Sequence, residues 1–335
     1  MKAAYIRKYG NNDAIEVGDQ PLPSVGPRDV LIKIHAASIN PVDYKIRDGD
    51  LKRVIAFKFP LVLGNDGSGV VEKVGADVRA FKPGDAVYVR LDKERIGTFA
   101  EYAVAAESSV ALKPNNLSHI EAASIPLAGQ TAWQALMDVR KLQKGQKVLI
   151  HAGSGGVGSF AIQLAKHVGA TVATTTSAKN ADLVKRLGAD VVIDYKTQRF
   201  DEILSDYDFV LDTQAGDVQH RSFRVLKRGG TLVTIVGMPT AEFGREWGVN
   251  ILVRMVMAWA NHKSTQLARE RDVNFKFLFT KPSGDQLREI AKLIESGAIK
   301  PLIDKVFDLD HIREALAYSK GGRVVGKAVV QIFAG

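Results

Sequence analysis

Residues 147–168 read KVLIHAGSGGVGSFAIQLAKHV, and this stretch decides the fold. Lys147 opens a short apolar run that reads as a strand. Gly153, Gly155, Gly156 and Gly158, with Val157 among them, follow at once in a G-x-G-x-x-G pattern, and Gly156 to Val168 then reads as a helix. The chain has 30 glycines, so the pattern alone recurs by chance. The strand–turn–helix setting is what gives it meaning. There, glycines permit a tight turn and bring backbone N–H groups close to a pyrophosphate at a helix N-terminus.

Downstream the alternation continues. Thr171-VATTT reads as a strand, Ala178 to Leu187 as a helix, and Val191-VIDY, Phe209-VLDT and Thr231-LVTIV as further strands. Such alternation means parallel strands joined by right-handed crossovers, hence a doubly wound α/β sheet. Upstream the chain is β-rich, with strands expected at Lys2–Arg7, Val30–Ala36, Gly69–Val74 and Ala86–Val89 between Pro- and Gly-rich turns. Ser118 and Glu121 form a capping-box pattern ahead of a longer helix through Thr131 to Val139. After Lys263 come a strand at Phe275-KFLF, an amphipathic helix Gly284–Ser296, and a final helix and strand ending in Ala328-VVQIF. The expected division is 1–126, 127–262 and 263–335, the last segment returning to the first.

The end of the second strand of the alternating region selects the cofactor. A dinucleotide site for NAD carries an acidic residue there, bonded to the ribose 2′-hydroxyl. This chain has Thr174-Thr175-Thr176-Ser177-Ala178-Lys179 instead. A carboxylate would repel a 2′-phosphate, whereas the hydroxyls of Thr176 and Ser177 and the ammonium of Lys179 would bind one. NADPH is therefore the expected cofactor. Ser177 is also a natural helix cap and Lys179 an ordinary surface lysine.

Composition bounds the rest. There is no cysteine, which excludes disulfides, thiolate nucleophiles and sulfur-ligated zinc. The net charge of +9 is spread, with 17 basic against 16 acidic residues in 1–126, 16 against 12 in 127–262 and 13 against 9 in 263–335. No basic stripe interleaved with aromatics occurs, so nucleic acid is an unexpected partner. The N-terminus MKAAYIRKYG is too short in apolar residues for a signal peptide. The apolar run Val249–Ala260 is interrupted by Arg254 and is below spanning length. It is expected to be a buried helix, and the protein to be cytoplasmic with no membrane contact.

Further blocks carry a resemblance: MKAAYI at the start, Ala37-SINPVDYKIRDG, Pro60-LVLGNDGSGVVEKVG, Phe81-KPGDAVY, Gly97-TFAEYAV, Ile125-PLAGQTAWQAL and Gly229-GTLVTIVG. With the glycine turn they resemble the zinc-independent quinone oxidoreductase branch of the medium-chain dehydrogenase/reductase superfamily, over nearly the whole chain. The resemblance implies a GroES-like β-barrel-type catalytic domain built from both chain ends, a Rossmann domain from the middle of the chain, and a homodimer. Zinc-dependent members place a cysteine where this chain has Asn40, a histidine at Asn65 and a cysteine near Ala128. None of those donors is present, so no metal is expected.

The same resemblance assigns roles. Asn40 would face nicotinamide or acceptor and donate to a developing oxyanion, though Asn-Pro is also a common turn. Asp43 would orient its neighbours. Tyr44 or Lys45 would supply a proton, with water an equal source. Thr131 would contact the nicotinamide ribose, Tyr195 would lie near the 2′-phosphate or pack in the core, and Gly237 with Phe277-Leu278-Phe279 would approach the nicotinamide by backbone contacts. Arg323, Gly326 and Lys327 match the tail that closes over the cofactor. The segments 46–59 and 240–259, with Phe57, Phe59, Phe243, Trp247 and Trp259, would line the acceptor pocket or pack in the core.

Without a Lewis acid, a simple carbonyl is poorly polarised. A quinone or enone already delocalises the charge that arrives with hydride, so orientation and modest hydrogen bonding suffice. The expected activity is NADPH-dependent hydride transfer to a quinone or other conjugated carbonyl. The alternatives are an alkenal or enoyl-thioester reductase and, from another class, a non-catalytic NADPH- or RNA-binding protein.

Overall fold

The computed structural model describes residues 1–52, 55 and 57–333. The chain forms two compact units: Met1–Gln130 together with the chain from Lys281 onward, and Thr131–Thr280. The cuts thus lie at 130/131 and 280/281 rather than at 126/127 and 262/263. The second differs more because Asn274–Phe277 pairs in parallel with Leu226–Thr234, which keeps residues 263–280 with the parallel sheet.

In the first unit the strand Asp29–Ser38 is the organiser. Its long β-branched run pairs with Asp66–Val74 on one edge and with both Tyr102–Ala106 and the final strand Lys327–Gln331 on the other. The ladder continues through Ala86–Arg90 to Val110–Leu112. Alternate apolar residues, among them Val30, Ile32, Ile34, Val87, Val89 and Val330, point into one core shared with Ile6, Leu63 and Phe99. Ser118 caps the helix His119–Ala123 in the expected capping box, and Ser283 caps Gly284–Glu295 by accepting from the N–H of Gln286 at 3.2 Å. The short strands Ile15–Asp19 and Tyr102–Ala106 do not announce themselves in sequence, since the first, IEVGD, has only two apolar residues and the second, YAVAA, is mostly alanine, a weak strand former.

The second unit is a six-stranded, wholly parallel sheet. In chain order its strands are Lys147–Ile150, Thr171–Thr176, Val191–Asp194, Tyr207–Asp212, Leu226–Thr234 and Asn274–Phe277, arranged 3-2-1-4-5-6. The order reverses beside the first strand, the crevice where open α/β sheets bind nucleotides. The helix Gly156–Val168 has the expected bounds and buries eight of its residues, from Gly158 to Ala165.

One expectation fails. The helix Ile251–Ala260 buries only Met257, while Leu252 is 68% and Trp259 82% exposed. Apolar composition argues that a helix is covered; it does not say that the same chain covers it. Among the described residues no helix is long and apolar enough to cross a membrane.

Candidate active site

The glycine turn is built as its spacing demands. The N–H of Gly153 donates to the Thr175 carbonyl at 3.0 Å, which pins the turn to the second strand. A Cβ at Gly153 would lie 2.0 Å from Thr174 Oγ1, and one at Gly158 2.3 Å from the Ala152 carbonyl. These two glycines are there for packing of helix on strand. Gly155 differs: a Cβ there meets nothing closer than 3.4 Å, so its bareness leaves the helix N-terminus open to a ligand. Val157 is half-buried in the first turn.

Beside the turn lies a cluster of hydroxyls. Thr176 Oγ1 donates to Ser154 Oγ at 3.0 Å, and Asn180 Nδ2 donates to the same oxygen at 3.1 Å. Ser177 is nearly buried but its side chain caps nothing, and Lys179 is exposed. Tyr195 donates its N–H to the Thr176 carbonyl at 3.2 Å and leaves its ring 61% exposed, so it is not a core residue. Ser154 and Asn180 escaped the sequence reading. The signal that could have found Ser154 is its place inside the glycine turn, facing the strand end that replaces the acidic residue. The residues present fit a 2′-phosphorylated dinucleotide: an open helix N-terminus, hydroxyls and a lysine, with no carboxylate at that strand end.

Gly237 takes a left-handed φ of 82°, and the N–H of Leu278 donates to the Thr234 carbonyl at 2.9 Å, so both adjoin the end of the Leu226–Thr234 strand. Phe279 meets Trp247 edge-on at 5.3 Å, and Phe243 stacks on Trp247 at 4.8 Å and meets Phe277 edge-on at 5.2 Å. Trp259, expected among these aromatics, is instead exposed on its helix. Thr131 Oγ1 is hydrogen-bonded to Thr280 Oγ1 at 2.6 Å, so its hydroxyl does not bond along its own helix alone.

In the first unit a buried polar cluster forms around the positions that would hold zinc in the metal-dependent members. Asn40 Nδ2 donates to Asp66 Oδ1 at 2.8 Å and to the Ser38 carbonyl at 3.1 Å, and its Oδ1 accepts from the ammonium of Lys327. Lys327 also donates to the Ile39 carbonyl at 2.7 Å. Asp66 takes Ser38 Oγ at 2.7 Å on Oδ1 and the Leu127 N–H at 2.9 Å on Oδ2. Asp43 accepts the Asn40 N–H at 2.7 Å and Asn65 Nδ2 at 2.6 Å. Asn40, Asp43, Asn65, Asp66 and Lys327 are all at least nine-tenths buried.

Two expectations change here. Asn40 has both amide hydrogens occupied, so it has none left to donate to an acceptor oxygen. Lys327 lies in this cluster, bonded to Asn40. The cluster also tests the metal. Its nitrogen atoms are amides and an ammonium, which donate and do not ligate, and the ammonium already brings a positive charge to the two acids. Among the described residues no three His, Asp or Glu side chains are placed to hold a metal ion.

Burial pushes the Asp43 carboxyl up to about 7, against the pull of its two N–H donors. Burial likewise raises Asp66 and lowers Lys327. Tyr44 is half-buried beside the core under Lys320, whose ammonium sits 6.0 Å from the ring centre, and burial with the charges of Asp43 and Asp48 raises its phenol. It therefore stays protonated at neutral pH. Arg323 is exposed in the turn before the last strand. Phe57 packs on the core and Phe59 meets Tyr9 edge-on at 4.9 Å, while Arg53, Val54 and Ala56 of the expected pocket segment lie outside the described residues.

Comparison with known proteins agrees with this geometry. Residues 26–115 match the alcohol dehydrogenase GroES-like domain and residues 187–330 the zinc-binding dehydrogenase domain. The chain is 36% identical over 356 residues to the mitochondrial NAD(P)H oxidoreductase RTN4IP1 of Bos taurus, covering 99% of this chain and 89% of that one. It is 34% identical over 341 residues to the chloroplastic NADPH-dependent alkenal/one oxidoreductase of Arabidopsis thaliana, covering 98% and 79%. Among solved structures, the quinone oxidoreductase from Coxiella burnetii superposes with a TM-score of 0.86 at 32% identity over 99% of both chains. These relatives also correct the expected location: the RTN4IP1 proteins of Bos taurus, Mus musculus, Homo sapiens and Danio rerio are named mitochondrial and the Arabidopsis thaliana relative chloroplastic, so a cytoplasmic assignment does not stand. The chain belongs to the zinc-independent quinone oxidoreductase branch of the medium-chain dehydrogenase/reductase superfamily.

Proposed function

We propose that this chain is an NADPH-dependent, zinc-independent reductase that delivers a hydride to a quinone or another conjugated carbonyl acceptor. The observation that carries this reading is the buried Asn40–Asp66–Lys327 cluster, which fills with amides, carboxylates and an ammonium the place where a metal would polarise a simple carbonyl. NADPH, when bound, supplies the hydride. The turn from Gly153 to Gly158 offers backbone N–H groups to the pyrophosphate, and Thr176, Ser177 and Lys179, with Ser154 and Tyr195 adjoining, receive the 2′-phosphate. Thr131, Gly237, Leu278 and Phe279 flank the nicotinamide half. Asn40 and Asp43 act as positioning residues, and the proton comes from water or Tyr44.

The acceptor is separated by experiment. NADPH is offered with a panel of quinones, alkenals and acyl-thioesters, and products are identified by mass spectrometry. Hydroquinone or saturated carbonyl products support the proposal. NADPH or RNA binding without turnover of any acceptor overturns it.

We also propose a homodimer. The exposed side chains of Ile251, Leu252, Met255, Val256 and Trp259 form one apolar face on a single helix, and a second copy presenting the same face would bury it symmetrically.

A further inference from the structure

Ser154 stands between Gly153 and Gly155 in the glycine turn and is half-buried. Its Oγ accepts two hydrogen bonds, one from Thr176 Oγ1 at 3.0 Å and one from Asn180 Nδ2 at 3.1 Å. A serine hydroxyl has two acceptor lone pairs and one hydrogen, spread about the Cβ–Oγ axis. Both lone pairs are therefore taken, and the hydrogen points away from both donors. Among the described residues nothing accepts it. Thr176 ends the second strand of the parallel sheet, where a dinucleotide site for NAD would carry its acidic residue. It is 2% exposed, and its own hydrogen goes to Ser154. The outward hydroxyl at that strand end is thus the one in the turn.

The second donor is unusual for its position. Asn180 precedes the helix Ala181–Arg186, and an asparagine there ordinarily turns its side-chain oxygen onto the backbone N–H groups of the first turn. Asn180 makes no such cap. Its amide reaches instead to a residue 26 positions earlier in the chain. A half-buried side chain that forgoes its helix for a distant hydroxyl contributes to that hydroxyl rather than to its own helix.

We propose that Asn180 is a positioning residue for cofactor choice: with Thr176 it fixes Ser154 as a hydroxyl that can only donate, and that hydrogen goes to the 2′-phosphate of NADPH. This inference rests on the reading of the site as one for NADPH. The oxygens of a phosphate dianion only accept, so a hydroxyl whose hydrogen is held outward suits them, and a hydrogen bond to a charged oxygen is about twice as strong as a neutral one. The ribose 2′-hydroxyl of NADH both donates and accepts. A serine whose lone pairs are already filled offers it only half of that exchange. Discrimination therefore comes from an oriented neutral group as well as from the charge of Lys179, and the orientation is set by a residue that need not touch the cofactor.

The test measures dissociation constants for NADPH and NADH by fluorescence titration on wild type, Ser154→Ala, Asn180→Ala and the double variant. Ser154→Ala is expected to bind NADPH about tenfold more weakly and NADH within about twofold of wild type. Asn180→Ala is expected to lose about threefold on NADPH alone, since the freed hydroxyl then points at the phosphate only part of the time. The double variant should bind as Ser154→Ala does, because Asn180 acts only through Ser154. A wild-type ratio in Asn180→Ala overturns the proposal, and so does a double variant whose loss is the product of the two single losses. Equal losses on both cofactors would place the hydroxyl on the pyrophosphate and overturn it as well. If Asn180→Ala does not fold, Asn180→Ser decides by the same ratio: it can cap its helix but is too short to reach Ser154. A wild type that prefers NADPH, with all variants unchanged, sinks this inference and leaves the NADPH reading standing; a wild type that binds both cofactors equally removes the NADPH reading and this inference with it.

Discussion

The ammonium of Lys327, in the last strand, donates to the side-chain oxygen of Asn40, the residue that caps the first helix of the chain. The same amide donates to Asp66 and to the Ser38 carbonyl. Lys327→Met would take the donor from Asn40 and the Ile39 carbonyl and remove the cation whose charge reaches both Asp43 and Asp66. Removing one partner of a buried charge pair costs about 3–5 kcal/mol. The expected outcome is a large fall in melting temperature, smaller at acid pH, where Asp43 and Asp66, both raised by burial, are protonated. Thermal denaturation at two pH values checks it.

The glycines of the turn separate packing from ligand contact. Gly158→Ala forces a methyl to within 2.3 Å of the Ala152 carbonyl and should cost about 1–3 kcal/mol of stability. Gly155→Ala meets only an ordinary 3.4 Å contact. It should melt like wild type and bind NADPH more weakly, because the methyl stands where the pyrophosphate approaches. Denaturation curves and fluorescence titrations on both variants distinguish the two.

Cofactor choice rests on the end of the second strand. Lys179→Ala should weaken NADPH while leaving NADH nearly untouched, and placing a carboxylate with Ser177→Asp should reverse the preference. The ratio of the two dissociation constants is the measurement. An unmoved ratio in both variants would remove these residues from the 2′-phosphate site.

His151 predicts an acid limit. Its ring lies between Thr175 Oγ1 at 3.1 Å and Ser222 Oγ at 2.9 Å, fully buried, and burial holds it at about 4. In the unfolded chain it titrates near 6.5. The unfolded state therefore binds the extra proton first, and stability falls as pH drops from about 6.5 to about 4, by up to about 3 kcal/mol from this residue. Asp43 acts oppositely: raised to about 7, it favours the folded state in acid and loses that contribution as pH rises from about 4 through 7. His151→Gln, which can still bridge both hydroxyls, should flatten the decline in melting temperature between pH 6.5 and 4.5.

The exposed helix makes a hydrodynamic prediction. Trp259→Ser with Leu252→Ser should leave the second unit folded, since both side chains lie largely in solvent, and should shift the mass seen by light scattering from dimer to monomer. A wild-type protein that is already monomeric at high concentration would defeat the proposed dimer.

The glycine turn, the parallel alternation and the missing carboxylate were legible because each is written in adjacent residues. The Asn40–Asp66–Lys327 cluster was not, since its members come from three distant segments and only the sheet brings them together. Lys327 read as part of a tail over the cofactor because sequence gives no hint that an ammonium turns inward. The helix Ile251–Ala260 failed for a related reason: apolarity states a need for cover without naming what provides it.

The final strand has a consequence for how the protein is made. Lys327–Gln331 pairs Val329 with Ser38, closing the first unit with residues that follow the whole of the parallel sheet in the chain, whereas that sheet is one unbroken stretch, 131–280. Domains usually complete themselves from the N-terminus as the ribosome releases them. Here the order inverts: the parallel sheet has every strand it needs while the first 130 residues still wait for the strand Lys327–Gln331 and for the ammonium that bonds Asn40. A ribosome stalled between residues 281 and 326 would hold one finished domain and one unfinished one, and the unfinished one is the domain that began first.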